Sequence, residues 1–400
     1  MYNCDIAVVG GGPAGLSAAY ASAKLGSKVI LFEKEKGIGQ FVRTSGVSWI
    51  KEMKKLQIPA NLYNPIKNFR FISPKNEIII KGDEYHSCVL DVRSLYQHLS
   101  FLAAKEGAEL WINSQVVDVL VEGINKKISG LVVNSPKGKI EVKSSVVIDA
   151  SGFHSFIGRK IGYVNKWERY GVGAEYECYC DHSDLETWTL MVGNQYSPAG
   201  YAWLFPLSQN RIRIGVGIGK PESTIDPVQL LNKIIEKRLK PVEELGNLQP
   251  IEFHYGYIPN QGARSSSVFD GLILVGDSAG QSNPLVLEGI RHAIEFGRLA
   301  GQVGSLSLTS MGSKNFLMEY EKEWKKQLCS KIDSALKVQS RWIGLSDDQW
   351  DREIAILQHL SIDEFLDFIT SEFSTKKMIR LAMNHPKLIA RQLFDLVIKK

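Results

Sequence analysis

Short apolar runs and helix-compatible segments alternate at the start of the chain. Residues 5–9 form an apolar, β-branched run, residues 13–25 are rich in small side chains, and residues 28–33 form a second apolar run. Apolar runs separated by a helical segment are typical of two parallel strands joined by a crossover helix. The pattern therefore predicts a strand–helix–strand unit at this end of the chain.

The middle of the chain is predicted to contain one helix followed mostly by strands. A helical period extends over residues 92–106, whereas residues 41–90 are irregular, with strand-like pieces at 69–72 and 78–81. From residue 170 to about 218 the pattern indicates antiparallel strands, and a helix at 228–239 follows. Further strands are predicted at residues 109–112, 116–122, 128–134, 139–142, 146–149 and 251–257.

The C-terminal part of the chain has the pattern of amphipathic helices. Apolar residues recur there every three or four positions, which places them on one helix face. The first such stripe consists of Leu317, Tyr320, Trp324, Leu328, Ile332 and Ala335. A second stripe, formed by Ile389, Leu393 and Val397, lies among lysines and arginines. Two interpretations of this cationic helix stay open: it rests on a membrane surface, or it closes a cavity.

Composition and charge are those of an ordinary globular protein. The net charge of +5 is small for 400 residues and no basic block is present, so no nucleic-acid partner is predicted. The five cysteines are odd in number and lack zinc-type spacing, which favours a reducing compartment and predicts no metal site. The first strand begins too early for a signal peptide, and no apolar run is long enough to span a bilayer. A cytoplasmic location is predicted.

A glycine-rich loop joins the first predicted strand to the first helix. Residues 10–15 read GGGPAG, which contains the GxGxxG motif that lets a backbone approach a pyrophosphate at a helix N-terminus. Glu33 ends the second strand, where a carboxylate can accept hydrogen bonds from both ribose hydroxyls, which a 2′-phosphate would block. The predicted cofactor contacts are Gly10, Gly12, Pro13, Ala14, Gly15, Glu33 and Lys34. The cofactor predicted from this unit alone is FAD or NAD.

A second glycine-containing segment favours FAD. The apolar run at residues 272–275 is followed by Gly276 and Asp277, and Gly289 opens another predicted helix. Asp277 can hydrogen-bond a ribityl hydroxyl, and the helix N-terminus at Gly289 can stabilise a reduced, anionic isoalloxazine ring. Because NAD has no ribityl chain, this second segment predicts FAD.

Several segments in this order resemble FAD-dependent oxidoreductases of the p-hydroxybenzoate hydroxylase superfamily, and most of all the geranylgeranyl reductase family. Residues 147–159 (VIDASGFHSFIGR) resemble the family's strand-to-loop segment, and residues 90–93 (LDVR) resemble the start of a flavin-contacting helix. Residues 200–206 (GYAWLFP), followed by Gly215 and Gly217, resemble the strand that lines the substrate cavity of the reductases. The resemblance covers about residues 1–300. It implies cofactor contacts at Arg93, Val117, Asp277, Gly289 and Ile290, and substrate contacts at Tyr201, Trp203, Phe205 and Pro206.

The chain departs from the family at two places beside the expected flavin. Many geranylgeranyl reductases have a Cys-Gly pair in the loop after the second strand, whereas this chain has Ser45 at the cysteine position. Ahead of Gly289 the reductases usually have glycines, whereas this chain has Leu287 and Glu288. Ser45 and Glu288 are the candidate catalytic residues, and Glu288 is either a proton donor or a solvated loop residue.

Arg43 lies in the same loop as Ser45, which relatives fold over the flavin. Two interpretations of Arg43 stay open: it contacts the cofactor, or it is a solvated surface charge.

These observations predict an α/β protein with a Rossmann-like FAD-binding domain, an antiparallel β-sheet substrate domain and a helical C-terminal region. The FAD-binding domain is assigned to residues 1–67, 87–165 and 262–312. The sheet domain is assigned to residues 68–86 and 166–261, and the helical region to residues 313–400.

The resemblance implies a reductase of carbon–carbon double bonds in a prenyl or similarly apolar substrate. Its electrons are expected from NAD(P)H or from a separate redox protein, since the sequence has no second GxGxxG motif. A flavin monooxygenase is the alternative. A halogenase would carry W-x-W-x-I-P, whose first Trp and Ile are replaced by Tyr201 and Phe205. A third hypothesis is a non-catalytic lipid-escort protein, which would have lost flavin binding. Contact with a membrane through the C-terminal helices is compatible with a lipid substrate.

Overall fold

The computed structural model describes residues 2–124, 126–310, 313–372 and 375–386. The β-strands are, in chain order, β1 Tyr2–Val9, β2 Val29–Phe32, β3 Val47–Trp49, β4 Tyr63–Ile66, β5 Asn68–Ile72, β6 Glu77–Ile80, β7 Ser87–Leu90, β8 Glu109–Trp111, β9 Gln115–Glu122, β10 Lys127–Ser135, β11 Gly138–Asp149, β12 Tyr170–Cys180, β13 Thr187–Gly193, β14 Ser197–Ser208, β15 Arg211–Lys220, β16 Leu248–Pro259, β17 Val268–Phe269 and β18 Leu272–Leu274. The α-helices are α1 Pro13–Lys24, α2 Ile50–Lys55, α3 Val92–Lys105, α4 Phe156–Lys160, α5 Pro227–Glu236, α6 Ile290–Leu306, α7 Lys314–Trp342, α8 Asp347–Leu357, α9 Ile362–Ile369 and α10 Thr375–Asn384.

The first sheet is built around the strand–helix–strand unit at the start of the chain. Its central order is β18-β11-β1-β2-β8, and all of these neighbours pair in parallel. The centre of β1 is apolar without interruption because it is covered on both faces: Ile6, Ala7 and Val8 are fully buried. Helices α1, α3, α6 and α7 cover one face, and β9, β10 and α4 cover the other. The strands predicted at 139–142 and 146–149 form the single strand β11.

The second sheet is almost entirely antiparallel. Its order is β16-β12-β15-β14-β13-β5-β6, and only β13 and β5 pair in parallel. One face packs against α5, and both Cys178 and Cys180 are buried there as small core residues. The predicted α/β fold class with an antiparallel second sheet is confirmed. The residue boundaries assigned to the domains stay a prediction.

Two local expectations were wrong. Residues 41–90 contain α2 and a three-stranded sheet of order β3-β7-β4, whose strands are too short to give a recognisable alternation. Helix α5 ends earlier than predicted, because the chain turns at Arg238, which has a left-handed φ of +46°.

The C-terminal helices begin with α7, as the first apolar stripe predicts. All six residues of that stripe are buried. Trp324 donates from Nε1 to Ser267 Oγ at 3.0 Å, and the Tyr320 hydroxyl donates to the Leu274 carbonyl at 3.0 Å, so α7 is fixed to the first sheet. Helices α8 and α9 pack against the second sheet beside β5 and β13. The second stripe, at residues 389–397, lies outside the described residues.

Helices α1 and α6 cross with their backbones in contact. A β-carbon on Gly297 would lie 2.4 Å from the Ala14 carbonyl oxygen, and one on Gly301 would lie 2.3 Å from the Ala18 carbonyl oxygen. The Ser22 hydroxyl also donates to the Gly301 carbonyl at 3.1 Å. Helix α1 follows the glycine-rich loop, whereas α6 follows the second glycine segment. The crossing therefore ties together the two parts of the chain that are expected to bind the cofactor.

Substituting Gly297 tests this crossing. Gly297→Ala should lower the free energy of unfolding by about 1–3 kcal/mol, because the added methyl group forces the two backbones apart. Gly304→Ala on the same helix is the control, since its β-carbon would come no closer than 3.4 Å to the Ile6 side chain. The control should be neutral or stabilising by up to about 1 kcal/mol. Thermal unfolding of both variants measures the difference, and equal midpoints would contradict the close crossing.

Candidate active site

The glycine-rich loop has the geometry that close approach of a phosphate requires. Gly10 has a φ of +108° and leaves no room for a side chain, because a β-carbon would lie 2.4 Å from the Ala150 carbonyl oxygen. Gly12 is the N-cap of α1, and a β-carbon on it would have no neighbour within 4 Å. The free N–H groups at the start of α1 therefore face open space, where an anion can bind.

Glu33 lies beside this loop at the end of β2. Its Oε2 accepts a hydrogen bond from the Gly11 amide at 2.7 Å, and its Oε1 accepts one from the Glu35 amide at 2.8 Å. These two bonds fix the carboxylate, and each oxygen keeps a lone pair for a further donor. Glu33 can therefore accept hydrogen bonds from ribose hydroxyls.

Asp277 and Gly289 approach each other in the wall of the same cavity. A β-carbon on Gly289 would lie 3.5 Å from Asp277 Oδ1, and α6 starts at the next residue. Burial raises the pKa of the Asp277 carboxyl from its ordinary value of 3.8 to about 7. A half-buried carboxyl beside a helix N-terminus can donate or accept a hydrogen bond, depending on its protonation.

The cavity bounded by these groups has a volume of about 610 Å³. Its lining includes most of the predicted cofactor residues: Gly10, Gly12, Pro13, Ala14, Glu33, Lys34, Arg43, Asp277, Gly289 and Ile290. Gly15, Arg93 and Val117 are not among the lining residues of the described chain. Gly15 packs against the Gly10 carbonyl, and Val116 lines the cavity in place of Val117.

Arg93 does not line the cavity but connects two segments next to it. Its Nε donates to the Gly39 carbonyl at 2.9 Å, and its guanidinium forms an ion pair with Glu252 on β16. Arg43 has an exposed side chain that pairs with Glu35 at 3.0 Å, yet it also borders the cavity. The exposed ion pair agrees with a solvated surface charge, and the position at the cavity agrees with a cofactor contact, so both interpretations of Arg43 stay open.

The second sheet roofs the cavity with a row of residues that the register places side by side. Trp203, Gly215, Glu175 and His254 are paired across β14, β15, β12 and β16. The indole Nε1 of Trp203 donates to Glu175 Oε2 at 2.6 Å, and His254 Nδ1 lies 2.8 Å from Glu175 Oε1. Glu175 therefore orients both rings. A β-carbon on Gly215 would lie 2.2 Å from the indole, so the glycine makes room for it.

A buried arginine connects this roof to the loop that contains Ser45. The Arg213 guanidinium pairs with Glu177 at 3.3 Å and donates to the Ser45 and Leu90 carbonyls at 2.8 and 2.9 Å. A buried cation needs such a complete set of partners. Sequence reasoning missed Glu175, Arg213 and His254, because they belong to no recognised motif and only strand register brings them together.

A second, larger cavity of about 840 Å³ lies between the sheet and the C-terminal helices. Its walls are predominantly apolar and aromatic, including Leu190, Ile218, Leu285, Trp342 and Phe365. This volume lies within the usual range of about 300–1,000 Å³ for ligand sites.

The two cavities meet at a wall that both share. Tyr201, Gly217 and Leu287 line both of them. Trp203 lines the 610 Å³ cavity, whereas Phe205 and Pro206 line neither. Phe205 packs in the core with Trp188 and Trp203. Of the three aromatic residues in the predicted wall, Tyr201 and Trp203 therefore line a cavity and Phe205 does not.

The two candidate catalytic residues have different environments. Ser45 lines the 610 Å³ cavity. Glu288 is buried and lines neither cavity; its carboxylate accepts from Arg291 Nε at 2.8 Å and from Trp49 Nε1 at 3.1 Å. The structure thus places Glu288 in a buried ion pair, not at the cavity surface.

The residues around the smaller cavity fit an FAD molecule. The open N-terminus of α1 suits a diphosphate, Glu33 suits an adenosine ribose, and Asp277 with the start of α6 suits the ribityl–flavin end. The half-buried Asp277 carboxyl is the observation most specific to this fit: it lies at the cavity wall beside the start of α6, where a ribityl hydroxyl can pair with it, and desolvation raises its pKa to about 7.

Two family models and several reductases are similar to this chain. A family model described as FAD dependent oxidoreductase matches residues 5–154, and one described as geranylgeranyl reductase catalytic domain matches residues 170–258. Digeranylgeranylglycerophospholipid reductase 2 of Methanothermobacter thermautotrophicus is 30% identical over 96% of this chain and 97% of its own length. The digeranylgeranylglycerophospholipid reductase of Methanocaldococcus jannaschii is 31% identical over 94% of both chains.

Solved structures of flavin-dependent enzymes and of a reductase-like protein have a similar fold. A geranylgeranyl bacteriochlorophyll reductase-like protein from Thermoplasma acidophilum superposes with a TM-score of 0.85 and 26% identity over 99% of this chain and 100% of its own. A flavin-dependent brominase superposes with a TM-score of 0.70 over 98% of this chain and 100% of its own. At 19% identity, the brominase shows a common fold only.

The raised pKa of Asp277 predicts a pH-dependent stability of the cofactor-free protein. The folded state holds this proton more tightly than the unfolded chain, so stability falls as pH rises from about 4 to about 7. Asp277→Asn should remove this loss, which is about 4 kcal/mol at most and smaller to the extent that water enters the cavity. The measurement is the difference in unfolding midpoint between the variant and the unsubstituted protein across pH 4 to 8. A difference that does not change with pH would refute a raised pKa.

Proposed function

Because the chain belongs to the geranylgeranyl reductase family of FAD-dependent oxidoreductases, we propose that it saturates the double bonds of geranylgeranyl chains in an isoprenoid glycerophospholipid. The observation that carries this proposal is the apolar 840 Å³ cavity that meets the cofactor cavity at Tyr201, Gly217 and Leu287. An apolar chain that fills the larger cavity therefore ends next to the smaller one. The substrate class is that of the reductases to which the chain is similar.

FAD, when bound, supplies a hydride to carbon. The residues of this chain bind and orient it: the start of α1 holds the diphosphate, Glu33 holds the adenosine ribose, and Asp277 holds the ribityl chain. Arg93 is proposed to position the loop that contains Gly39, and Val117 is proposed to act through its neighbour Val116, which lines the cavity. Trp203 and His254, oriented by Glu175, cover the cavity and exclude water from it.

Ser45 is the proposed residue for the proton that completes the reduction. Ser45 lies on a segment of the cavity wall that Arg213 fixes through the Ser45 carbonyl. A hydroxyl passes a proton on while taking another from water, so it can act without a low pKa. Glu288 is not proposed for this step, because its carboxylate forms an ion pair outside the cavity. The electrons are proposed to come from a transiently bound nicotinamide or a separate redox protein.

The reductase activity can be tested without knowing the electron donor. Anaerobic holoenzyme reduced by dithionite should transfer its electrons to a geranylgeranyl glycerophospholipid. The lipid should gain two hydrogen atoms per saturated bond by mass spectrometry while the oxidised flavin band returns. If oxygen and NADPH instead give a product with an added oxygen atom, and the anaerobic reaction gives none, the protein is a monooxygenase.

The exposed residues of helix α10 favour contact of the protein with a membrane, from which such a lipid would enter the apolar cavity. Among the described helices, none is long and apolar enough to cross a bilayer. On α10, Leu381 lines the apolar cavity, whereas Ile379 and Met383 are 56% and 76% exposed one turn apart. The exposed Lys376 and Arg380 fall on the same outer face. An apolar face flanked by cations binds the interface of anionic membranes.

Removing this apolar face should weaken membrane binding. Ile379→Ser combined with Met383→Ser should reduce the fraction of protein that sediments with anionic vesicles by about fivefold or more, because less apolar surface is buried in the membrane. Phe101→Ser on α3 is the matched control, since Phe101 is 61% exposed on a different helix. Equal losses in both variants would argue against a specific role of α10.

A further inference from the structure

The turn ahead of α6 forms the wall between the two cavities on the side opposite the second sheet. Of the three residues that line both cavities, Tyr201 and Gly217 belong to neighbouring strands of that sheet. Leu287 is the third, and it comes from the turn. A chain that passes through this shared wall from the apolar cavity to the cofactor passes between Leu287 and the sheet.

The Leu287 side chain reaches across this passage. Its Cδ1 lies 2.8 Å from the position that a β-carbon on Gly171 of β12 would take. Only the missing side chain of Gly171 lets the leucine extend this far. The passage is thus narrowed from one side by Leu287 and bounded on the other by Tyr201 and the glycine backbone.

Leu287 also has a backbone conformation that a leucine seldom adopts. Its φ is +52°, in the left-handed region where a β-carbon crowds the following carbonyl. Residues held in this way cluster at ligand-binding segments, where the surrounding structure fixes them.

The neighbours of Leu287 hold this conformation. The Tyr201 hydroxyl donates to the Val286 carbonyl at 2.6 Å, and the backbone N–H of Asn283 donates to the Glu288 carbonyl at 2.8 Å. The Glu288 carboxylate is bound by Arg291 and Trp49. The buried ion pair of Glu288 therefore fixes the turn that presents Leu287.

We propose that Leu287 is a specificity-determining residue, whose side chain limits how far an apolar chain can advance from the larger cavity toward the cofactor. This inference rests on the proposed function. A substrate with several double bonds must bring each one past Leu287 in turn. The bonds that require the deepest insertion are then reduced slowest, and partly saturated lipid accumulates.

The test compares the products of Leu287→Gly and Leu287→Ala holoenzyme with those of the unsubstituted protein. Both variants should raise the ratio of fully to partly saturated lipid by about tenfold, because a side chain of this size decides entry into an apolar pocket. Leu285→Ala is the matched control: Leu285 is buried in the same turn but lines only the apolar cavity. It should weaken lipid binding and leave the product ratio unchanged. An unchanged ratio in both Leu287 variants, or an equal shift in Leu285→Ala, would overturn the proposal.

Two further measurements do not depend on turnover. A fully saturated phytanyl lipid should perturb the absorbance of bound oxidised flavin at about tenfold lower concentration in Leu287→Gly than in the unsubstituted protein. Leu287→Gly should also unfold about 1–3 °C above Leu287→Ala, because glycine relieves the left-handed strain that alanine keeps. If the unsubstituted protein saturates no lipid, the proposed function fails. If it saturates lipid and the flavin perturbation is the same in all variants, only the role of Leu287 fails.

Discussion

Backbone contact between α1 and α6 sets the geometry on which the cofactor cavity depends. Both helices begin at that cavity, α1 at the glycine-rich loop and α6 beside Asp277. The field of a helix N-terminus falls off within its first turn, so both starts must be held within a short distance of the groups they bind. Gly297 and Gly301 allow this by letting α6 rest on the carbonyls of Ala14 and Ala18. Helix α7 then packs on α6 through Trp324 and Phe296, which extends the constraint to the C-terminal helices.

The parts of the site that could be predicted from the sequence are those encoded within one short segment. The glycine-rich loop, Glu33 and the Asp277–Gly289 segment each combine a strand end with a helix start, and local chemistry is enough to identify them. The stripe of α7 was predictable for a similar reason, since a period of three to four residues is visible in one helix. Their position around one cavity follows from the parallel order of β18, β11, β1 and β2.

The roof of the cavity could not be predicted, because it depends on register between distant strands. Glu175 is 79 residues from His254 and 28 from Trp203 in the chain. A slip of one residue in β12 would turn its carboxylate to the opposite face, toward the core formed with α5. Phe205 alternates with Tyr201 and Trp203 on β14 yet packs in the core against Trp188, because the cavity ends before the third position of the strand. The sequence predicts a cofactor contact at Arg93, whereas its guanidinium turns to Glu252, a partner on another element that the local sequence does not identify.

The division between a polar and an apolar cavity has a mechanical consequence. A cofactor that stays bound needs fixed hydrogen bonds, and Glu33, Asp277 and the start of α1 provide polar groups for them. A substrate with several similar double bonds must instead move, so that each bond in turn reaches the same reacting atom. Fixed polar contacts along the chain would hold it in one register, because each shift would leave a buried polar group unpaired. Apolar walls make successive positions nearly equal in free energy, since the hydrophobic effect has no direction. The aromatic and aliphatic lining of the larger cavity therefore suits stepwise movement, and the residues at its junction with the cofactor cavity decide where the steps end.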